Sequence, residues 1–412
     1  MYLKLAWRNI WRNKRRTLIT AFSVLLAVVL SALTRSMQLG SYEMMIENTA
    51  GHITGYLQIH KHGYWDDQTL DNSFVVTDSL KSAIASEKSV TAWVPRVSGY
   101  ALAAGQKITR AAYILGIDPQ KEKLLGNPEH YLVEGKYWSS ETARSVIIGD
   151  ELAKQLELAP GDTLVLIGQG YHGQSAAGKY PVAGIVHMPD PTMNRALVYM
   201  PIGESQFFFA MPNRVTAIAI LTGHPQEGHQ VASDLRKKLS SSDRKTTPKY
   251  EVMTWQKLMP DMDQMIQADD RGGLIFLFIL YLIIGFGILG TILMMTAERR
   301  KELGIMLSVG MSRLRLGGLL LTEGVMIAMI GTFVGLAVSF PILGYFYLHP
   351  IPLTGDMAKM MLEFGVEPIL PFSLAPSIFY NQALTVLILA MIFSFYPVWY
   401  THRLNPGKAL RP

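Results

Sequence analysis

The chain of 412 residues contains no cysteine. That excludes disulfide staples, thiolate metal sites and cysteine nucleophiles, so a compact region in an oxidising compartment must be held by its core alone. Charge is scarce as well: charged residues make up 17% of the chain, against about 25% in an average soluble domain. A shortage of this size fits either a very large core or a membrane protein. The distribution of the charges decides between them.

Charges desert four stretches. Between Arg16 and Arg35 lie 18 uncharged residues, between Arg271 and Glu298 there are 26, from Gly324 to Gly355 there are 32, and from Pro368 to Thr401 there are 34. A helix rising about 1.5 Å per residue crosses the hydrocarbon core in about 20 residues. The first run is short by that count, and Arg16 and Arg35 are placed to snorkel to the two interfaces. It reads as a retained span rather than a cleaved signal peptide: a long basic lead with two tryptophans precedes it, and no small-x-small cleavage pattern follows. The last run opens with PILPFSLAPSIFYNQ, too rich in proline to be all helix, so its spanning part is predicted at 379–400. The prediction is four membrane-spanning helices.

Basic residues set the orientation. Segment 1–16 holds six Lys/Arg, 298–315 five and 402–412 three, whereas 349–378 has only Lys359 against Asp356, Glu363 and Glu367. By the positive-inside rule both termini and the 298–315 loop are expected in the cytoplasm. The formal net charge of +6 follows from this bias and does not argue for nucleic-acid binding. The expected order is a cytoplasmic amphipathic helix and first span (1–40), an extracytoplasmic domain (41–270), the second span (271–297), a cytoplasmic loop (298–315), the third span (316–348), a short outer loop (349–378), and the fourth span with its tail (379–412).

The inserted domain reads as α+β and is large enough to fold without staples. Strands are predicted at Tyr56–His60, Ala111–Ile117, Ser145–Ile148, Thr163–Ile167, Val182–Val186, Ala196–Tyr199 and Val215–Leu221. Asp150 is placed to cap the helix ELAKQLEL, a further helix lies near 227–240, and YEVMTW closes a β-α-β unit. The polar stretch 240–249 reads as a loop, and after Trp255 a helix is expected to run into the second span.

Three motifs tempt. GQSAAGKY (173–180) nearly matches a phosphate-binding loop, but Tyr180 replaces the hydroxyl that holds magnesium and a strand follows; it reads as a Gly-rich loop. GFGILG (285–290) matches a dinucleotide fingerprint literally, yet it lies mid-span, where Gly285, Gly287 and Gly290, like Gly331 and Gly335, are expected to admit a neighbouring helix. His60, His62, Asp66 and Asp67 carry ligand-type side chains, although His-x-His beside an exposed turn is more often structural than metal-binding. No constellation for covalent catalysis is present, so no catalytic, cofactor or metal residue is assigned.

The informative segment is TAERRKELGIMLSVGMSRLRLGGLLLTEG (296–324). A short amphipathic helix ending at Gly310 would show an apolar edge at Leu303, Met306 and Leu307 beside a basic one. Amphipathicity alone fits equally a helix lying on anionic lipid and a helix docked in a groove of a partner.

This segment resembles the signature of the FtsX-like permease family: Glu298, Arg299, Arg300, Glu302, Leu303, Gly304 and Ile305, then Gly310, Ser312 and Arg313, then Glu323 and Gly324, then Gly331 and Gly335. The opening LAWRNIWRNKRRT and the closing YPVWYTHRLNPGKALRP are similar to that family's ends. The resemblance implies an α-helical membrane protein with four transmembrane helices and an α+β extracytoplasmic domain inserted between helices one and two. It implies a mechanotransmission-type ABC transporter of the bacterial inner membrane. Two permease subunits, identical or paralogous, would sit on separate ATPase subunits that bind ATP and magnesium, with no ATPase on this chain. Glu298, Arg299, Arg300, Glu302, Leu303, Gly304, Met306, Leu307 and Gly310 would form the coupling helix. Length and topology look most like the lipoprotein-releasing members, with Leu30, Leu33, Met37, Ile275, Phe278 and Ile279 as cargo contacts beside membrane lipid, and a lipoprotein or periplasmic carrier as partner. Macrolide-exporter-type efflux and signalling to a cell-wall hydrolase are the alternatives.

Overall fold

In the computed structural model residues 2–12, 14–138, 140, 143–188, 190–239, 249–363 and 367–403 are described. The polar loop at 240–248 and the basic tail from 404 lie outside them. The chain divides into two compact units, one of residues 1–42, 265–352 and 369–412, the other of 43–264 and 353–368.

The first unit is a helical bundle. Four helices are long and apolar enough to cross a membrane, with mean hydropathies of 2.3, 2.6, 2.2 and 1.8 over their best windows. Span one is Lys14–Ile46, span two Pro260–Glu298, span three Arg313–Leu348 and span four Pro376–Arg403. The helices outrun the charge-free runs used to predict them, because SYEMMI after span one and PDMDQMIQADD before the apolar part of span two stay helical without being apolar. Absence of charge marks the hydrocarbon, not the helix end. Span four starts at Pro376 rather than 379; a proline in the first helical turn forfeits no hydrogen bond and is pre-set in φ.

Inside the bundle the glycines sort by neighbour. A methyl at Gly331 would lie 2.6 Å from the Ala21 carbonyl oxygen, and one at Gly335 would lie 2.9 Å from Val28 Cβ, so these two let span one lie against span three. Gly285 faces the Phe393 ring of span four at 2.8 Å. Gly287 and Gly290, expected to pack helices, have nothing within 4 Å. At about 100° per residue on a helix they cannot share the inward face of Gly285.

The second unit is built on a ten-stranded mixed sheet in the order Tyr250–Thr254, Leu57–Lys61, Ala217–Thr222, Val90–Ala104, Thr109–Ile117, Leu197–Pro201, Val146–Gly149, Ser175–Val186 and Leu132–Gly135, with Thr163–Gln169 paired to both Val90–Ala104 and Ser175–Val186. One core gathers Ile114, Ile148, Leu152, Leu164, Val198 and Phe209 under the helices Asp150–Leu156 and Ile202–Phe208. Another gathers Leu57, Ile59, Leu80, Ile84, Ile218 and Leu235 under Asp78–Ala85 and Gly228–Leu239.

The sequence reading missed the longest strand, Val90–Ala104, because Pro95 and Gly99 interrupt it. Pro95 is tolerated because pairing with Thr109–Ile117 begins only at Arg96, leaving Pro95 a partner strand on one side, at Ile218. The segment 175–180, read as a loop, is strand paired to Thr163–Gln169, with Tyr180 buried. Asp150 is the first residue of its helix rather than its cap. Its carboxylate accepts from Asn194, from Lys154 Nζ at 3.1 Å and from His187 Nδ1 at 3.1 Å. Burial pushes that carboxyl up, but these hydrogen bonds outweigh it and hold it below its usual value.

His60 is buried, stacked on Tyr64 at 4.8 Å between centroids, and its Nδ1 lies 2.9 Å from the Thr216 carbonyl. Burial lowers its pKa to about 4, the carbonyl contact offsetting only part of the effect. Among the described residues no group of three or more His, Asp or Glu side chains could hold a metal ion.

Candidate coupling site

Span two ends at Glu298, and the chain continues through Arg299 into a short connecting helix, Arg300–Ser308. That helix stops as glycine-terminated helices do. Gly310 has φ +102°, Gly310 N–H donates to the Leu307 carbonyl at 3.1 Å, and Met311 N–H reaches back to the Met306 carbonyl at 3.1 Å. Span three then starts behind Ser312, whose Oγ accepts from Arg315 N–H at 3.4 Å.

The connecting helix carries two apolar edges, and the structure separates their tasks. Leu303 is fully buried against Leu316, with Met306, Leu307, Met311, Leu320 and Tyr400 around the pair. The edge expected to meet a partner is therefore the one that fastens the helix to span three, and Gly304 is buried with it. A helix of nine residues cannot wrap all its apolar side chains inward. Ile305 within it (52% exposed), Val309 just past its end (83%) and Leu314 at the start of span three (76%) point away, beside the exposed Glu298, Arg300 and Lys301. Residues 305 and 309, one helical turn apart, form the outward ridge.

Beneath this helix lies a chain of charges. Arg299 and Glu323 are buried side chains, 3% and 5% exposed, and Arg299 Nη1 donates to both Glu323 oxygens at 2.7 and 2.8 Å. Arg299 Nε also reaches Glu302 Oε2 at 3.4 Å, which accepts from Arg12 Nη2 of the N-terminal helix Tyr2–Arg12 at 2.6 Å. The Arg299–Glu323 pair lines a cavity together with Thr20, Val24, Ile292, Thr296, Ala328 and Ser394. A buried charged pair is held by its mutual partnership, because each member alone would be strongly penalised. The sequence carried one signal for it: a lone glutamate at the head of an otherwise charge-free apolar run. Its partner lies 24 residues away, beyond the reach of local periodicity.

At the other end of spans one and two, Arg35 Nη1 meets Asp270 Oδ1 at 2.6 Å and Tyr42 Oη donates to Asp269 Oδ2 at 2.6 Å. Arg35, expected simply to snorkel, is paired. Of the residues proposed to meet cargo, Leu30, Met37, Ile275, Phe278 and Ile279 are exposed, whereas Leu33 packs into the cluster around Leu343 and Phe372.

Comparisons with known proteins agree with this architecture. Residues 17–238 match the MacB-like periplasmic core domain and residues 274–406 the FtsX-like permease C-terminal family. The chain is 22% identical over 340 residues to the lipoprotein-releasing system transmembrane protein LolC of Xylella fastidiosa, covering 77% of this chain and 76% of that protein. It is 22% identical over 425 residues to the macrolide export ATP-binding/permease protein MacB 1 of Yersinia pestis, covering 99% of this chain. It is 21% identical to the pyoverdine export ATP-binding/permease protein PvdT of Pseudomonas fluorescens, again over 99% of this chain. It spans 60% and 59% of the lengths of those two proteins. Among solved structures, the periplasmic region of MacB from Actinobacillus actinomycetemcomitans aligns with a TM-score of 0.36 at 13% identity, over 53% of this chain and 97% of that one. With the periplasmic-core match covering more than half of its length and the permease match covering spans two to four, the protein belongs to the MacB/FtsX-like family of ABC transporter permeases.

Proposed function

We propose that this permease is the membrane subunit of a mechanotransmission ABC transporter in the bacterial inner membrane. Both termini and the connecting helix face the cytoplasm and the inserted domain faces the periplasm, a reading supported by the Lys/Arg distribution. Two permease subunits, identical or paralogous, sit on separate ATPase subunits that carry ATP and magnesium. Closure of the ATPases pushes on the connecting helix, and the spans pass the movement to the inserted domain. The observation that carries this reading is the division of the connecting helix: Ile305 and Val309 outward for a partner's groove, Leu303 and Arg299 inward on the bundle.

For the cargo, the match to LolC and the exposed apolar residues Leu30, Met37, Ile275, Phe278 and Ile279 favour a lipoprotein or another acylated amphiphile. Alignment of 99% of this chain to parts of MacB and PvdT keeps efflux of smaller substrates as the second reading. The test is co-purification of an ATPase with the tagged chain from solubilised membranes, followed by ATP turnover with an acylated peptide or a macrolide added. Wild type should bring down an ATPase, and Ile305→Asp or Val309→Asp should lose it by about tenfold or more, since each would bury an unpaired charge at the contact. Undiminished co-purification in both variants would remove the docking assignment. Stimulation by the macrolide but not by the acylated peptide would move the cargo reading to efflux.

A further inference from the structure

The N-terminal helix Tyr2–Arg12 is bound to the bundle on one side only. Ala6 and Ile10 are buried, the helix packs on span three, and Thr17 Oγ1 closes the corner into span one by donating to the Ile10 carbonyl at 2.9 Å. A helix joined so closely to a membrane span lies at the bilayer surface. Trp7 and Trp11 are exposed and meet edge to face at 5.8 Å, and indole rings favour the headgroup level. Lys4, Arg8, Lys14 and Arg15 are exposed around them and have no carboxylate partner among the described residues. There is no acidic residue from 1 to 42. Such a surface complements anionic phospholipid, each basic side chain near it strengthening adsorption by about fivefold.

The fifth exposed basic residue of the segment is different. Arg12 points to Glu302 at 2.6 Å, and Glu302 belongs to the connecting helix and also contacts Arg299. The helix that meets the headgroups and the helix that carries the outward apolar ridge thus share one carboxylate.

We infer that the N-terminal helix is a docking surface for anionic phospholipid, and that lipid bound there sets the position of the connecting helix through the Arg12–Glu302 pair. The proposal rests on the coupling reading only for its consequence in transport. Its test contains no ATPase, so either idea can fail alone.

The purified full-length chain is placed in nanodiscs of phosphatidylcholine alone or with a graded share of phosphatidylglycerol. Quenching by brominated phosphatidylglycerol or brominated phosphatidylcholine is read as the difference between wild type and Trp7→Phe/Trp11→Phe. A spin label is carried at Ser308→Cys, the only cysteine in the chain. The anionic lipid should quench the two tryptophans at least about twofold more than the zwitterionic one, and salt should erode the difference. Lys4→Gln/Arg8→Gln/Arg15→Gln should abolish that preference. The spectrum of the label at 308 should change with the share of anionic lipid in wild type. In Arg12→Gln and in Glu302→Gln it should stay constant while the quenching preference remains. Equal quenching by the two lipids would overturn the docking surface, as would no quenching at all, which would place these rings against protein. A label response that is absent from wild type, or that survives in Arg12→Gln, would overturn the link.

Discussion

At one end of the bundle Arg299 and Glu323 are 3% and 5% exposed and share two short hydrogen bonds; at the other, Arg35 and Asp270 are 19% and 34% exposed and meet through one. Both ties join helices, but only the first is fully buried. Removing one member of a fully buried pair strands a charge and costs about 3–5 kcal/mol, whereas partial solvent access weakens a pair such as Arg35–Asp270. The end beneath the connecting helix is therefore built to stay together under load. The far end, between spans one and two, is the more open of the two to exchange with water. The proposed function, in which force enters beneath the connecting helix and helices part elsewhere, would use this asymmetry.

The largest effect should come from breaking the fully buried tie. Glu323→Leu is expected to lower the stability of the solubilised chain by about 3–5 kcal/mol, read from thermal unfolding in detergent. Arg299→Met/Glu323→Leu together should recover most of that loss. A loss of 1 kcal/mol or less (~1) in the single variant would show that the pair is solvated after all.

The inserted domain holds another buried ionisable group, and pH reaches it. His60 has its pKa lowered from 6.5 to about 4, so between those values the unfolded chain binds the proton that the folded chain refuses. Stability should therefore fall as pH drops from about 6.5 towards 4, by about 3 kcal/mol in all from this residue. In His60→Gln the slope over that window should flatten, leaving the contribution of carboxylates such as Asp150 at lower pH. An unchanged slope would mean that His60 takes up its proton without unfolding.

Next come the glycines. Gly335→Val must displace Val28 and should cost about 1–3 kcal/mol, while Gly287→Ala, with open space around it, should stay within about 0.5 kcal/mol. Equal costs would argue that a second subunit covers Gly287. Asp270→Asn, at the more exposed end, should cost about 1 kcal/mol, well below Glu323→Leu. A loss like that of Glu323→Leu would erase the asymmetry.

Much of this was legible in the chain. Charge-free runs marked four spans because hydrocarbon excludes charge whatever the fold, and residues 298–324 carried the family pattern openly. What stayed hidden was mostly direction and long-range pairing. Leu303 and Ile305 are equally apolar, and in a helix of nine residues periodicity cannot say which edge is inside. Gly287 sits two residues from Gly285 in the same glycine motif yet faces elsewhere. Val90–Ala104 was masked by Pro95, tolerable only because of how neighbouring strands begin. Arg299 and Glu323 carry no mark of each other until span three folds back beside span two.

In the proposed function docking, at Ile305 and Val309, is separate from transmission, through Arg299 and Glu323. The most direct test is an electron paramagnetic resonance distance between spin labels at Ser308→Cys and Met37→Cys, measured in the complex with its ATPase, with and without ATP. In an otherwise wild-type chain ATP should change that distance. In Glu323→Gln the ATPase should still co-purify, because the outward ridge is untouched, but the ATP-dependent change should be lost. The same change persisting in Glu323→Gln would contradict the claim that this buried pair carries movement from the connecting helix into the bundle.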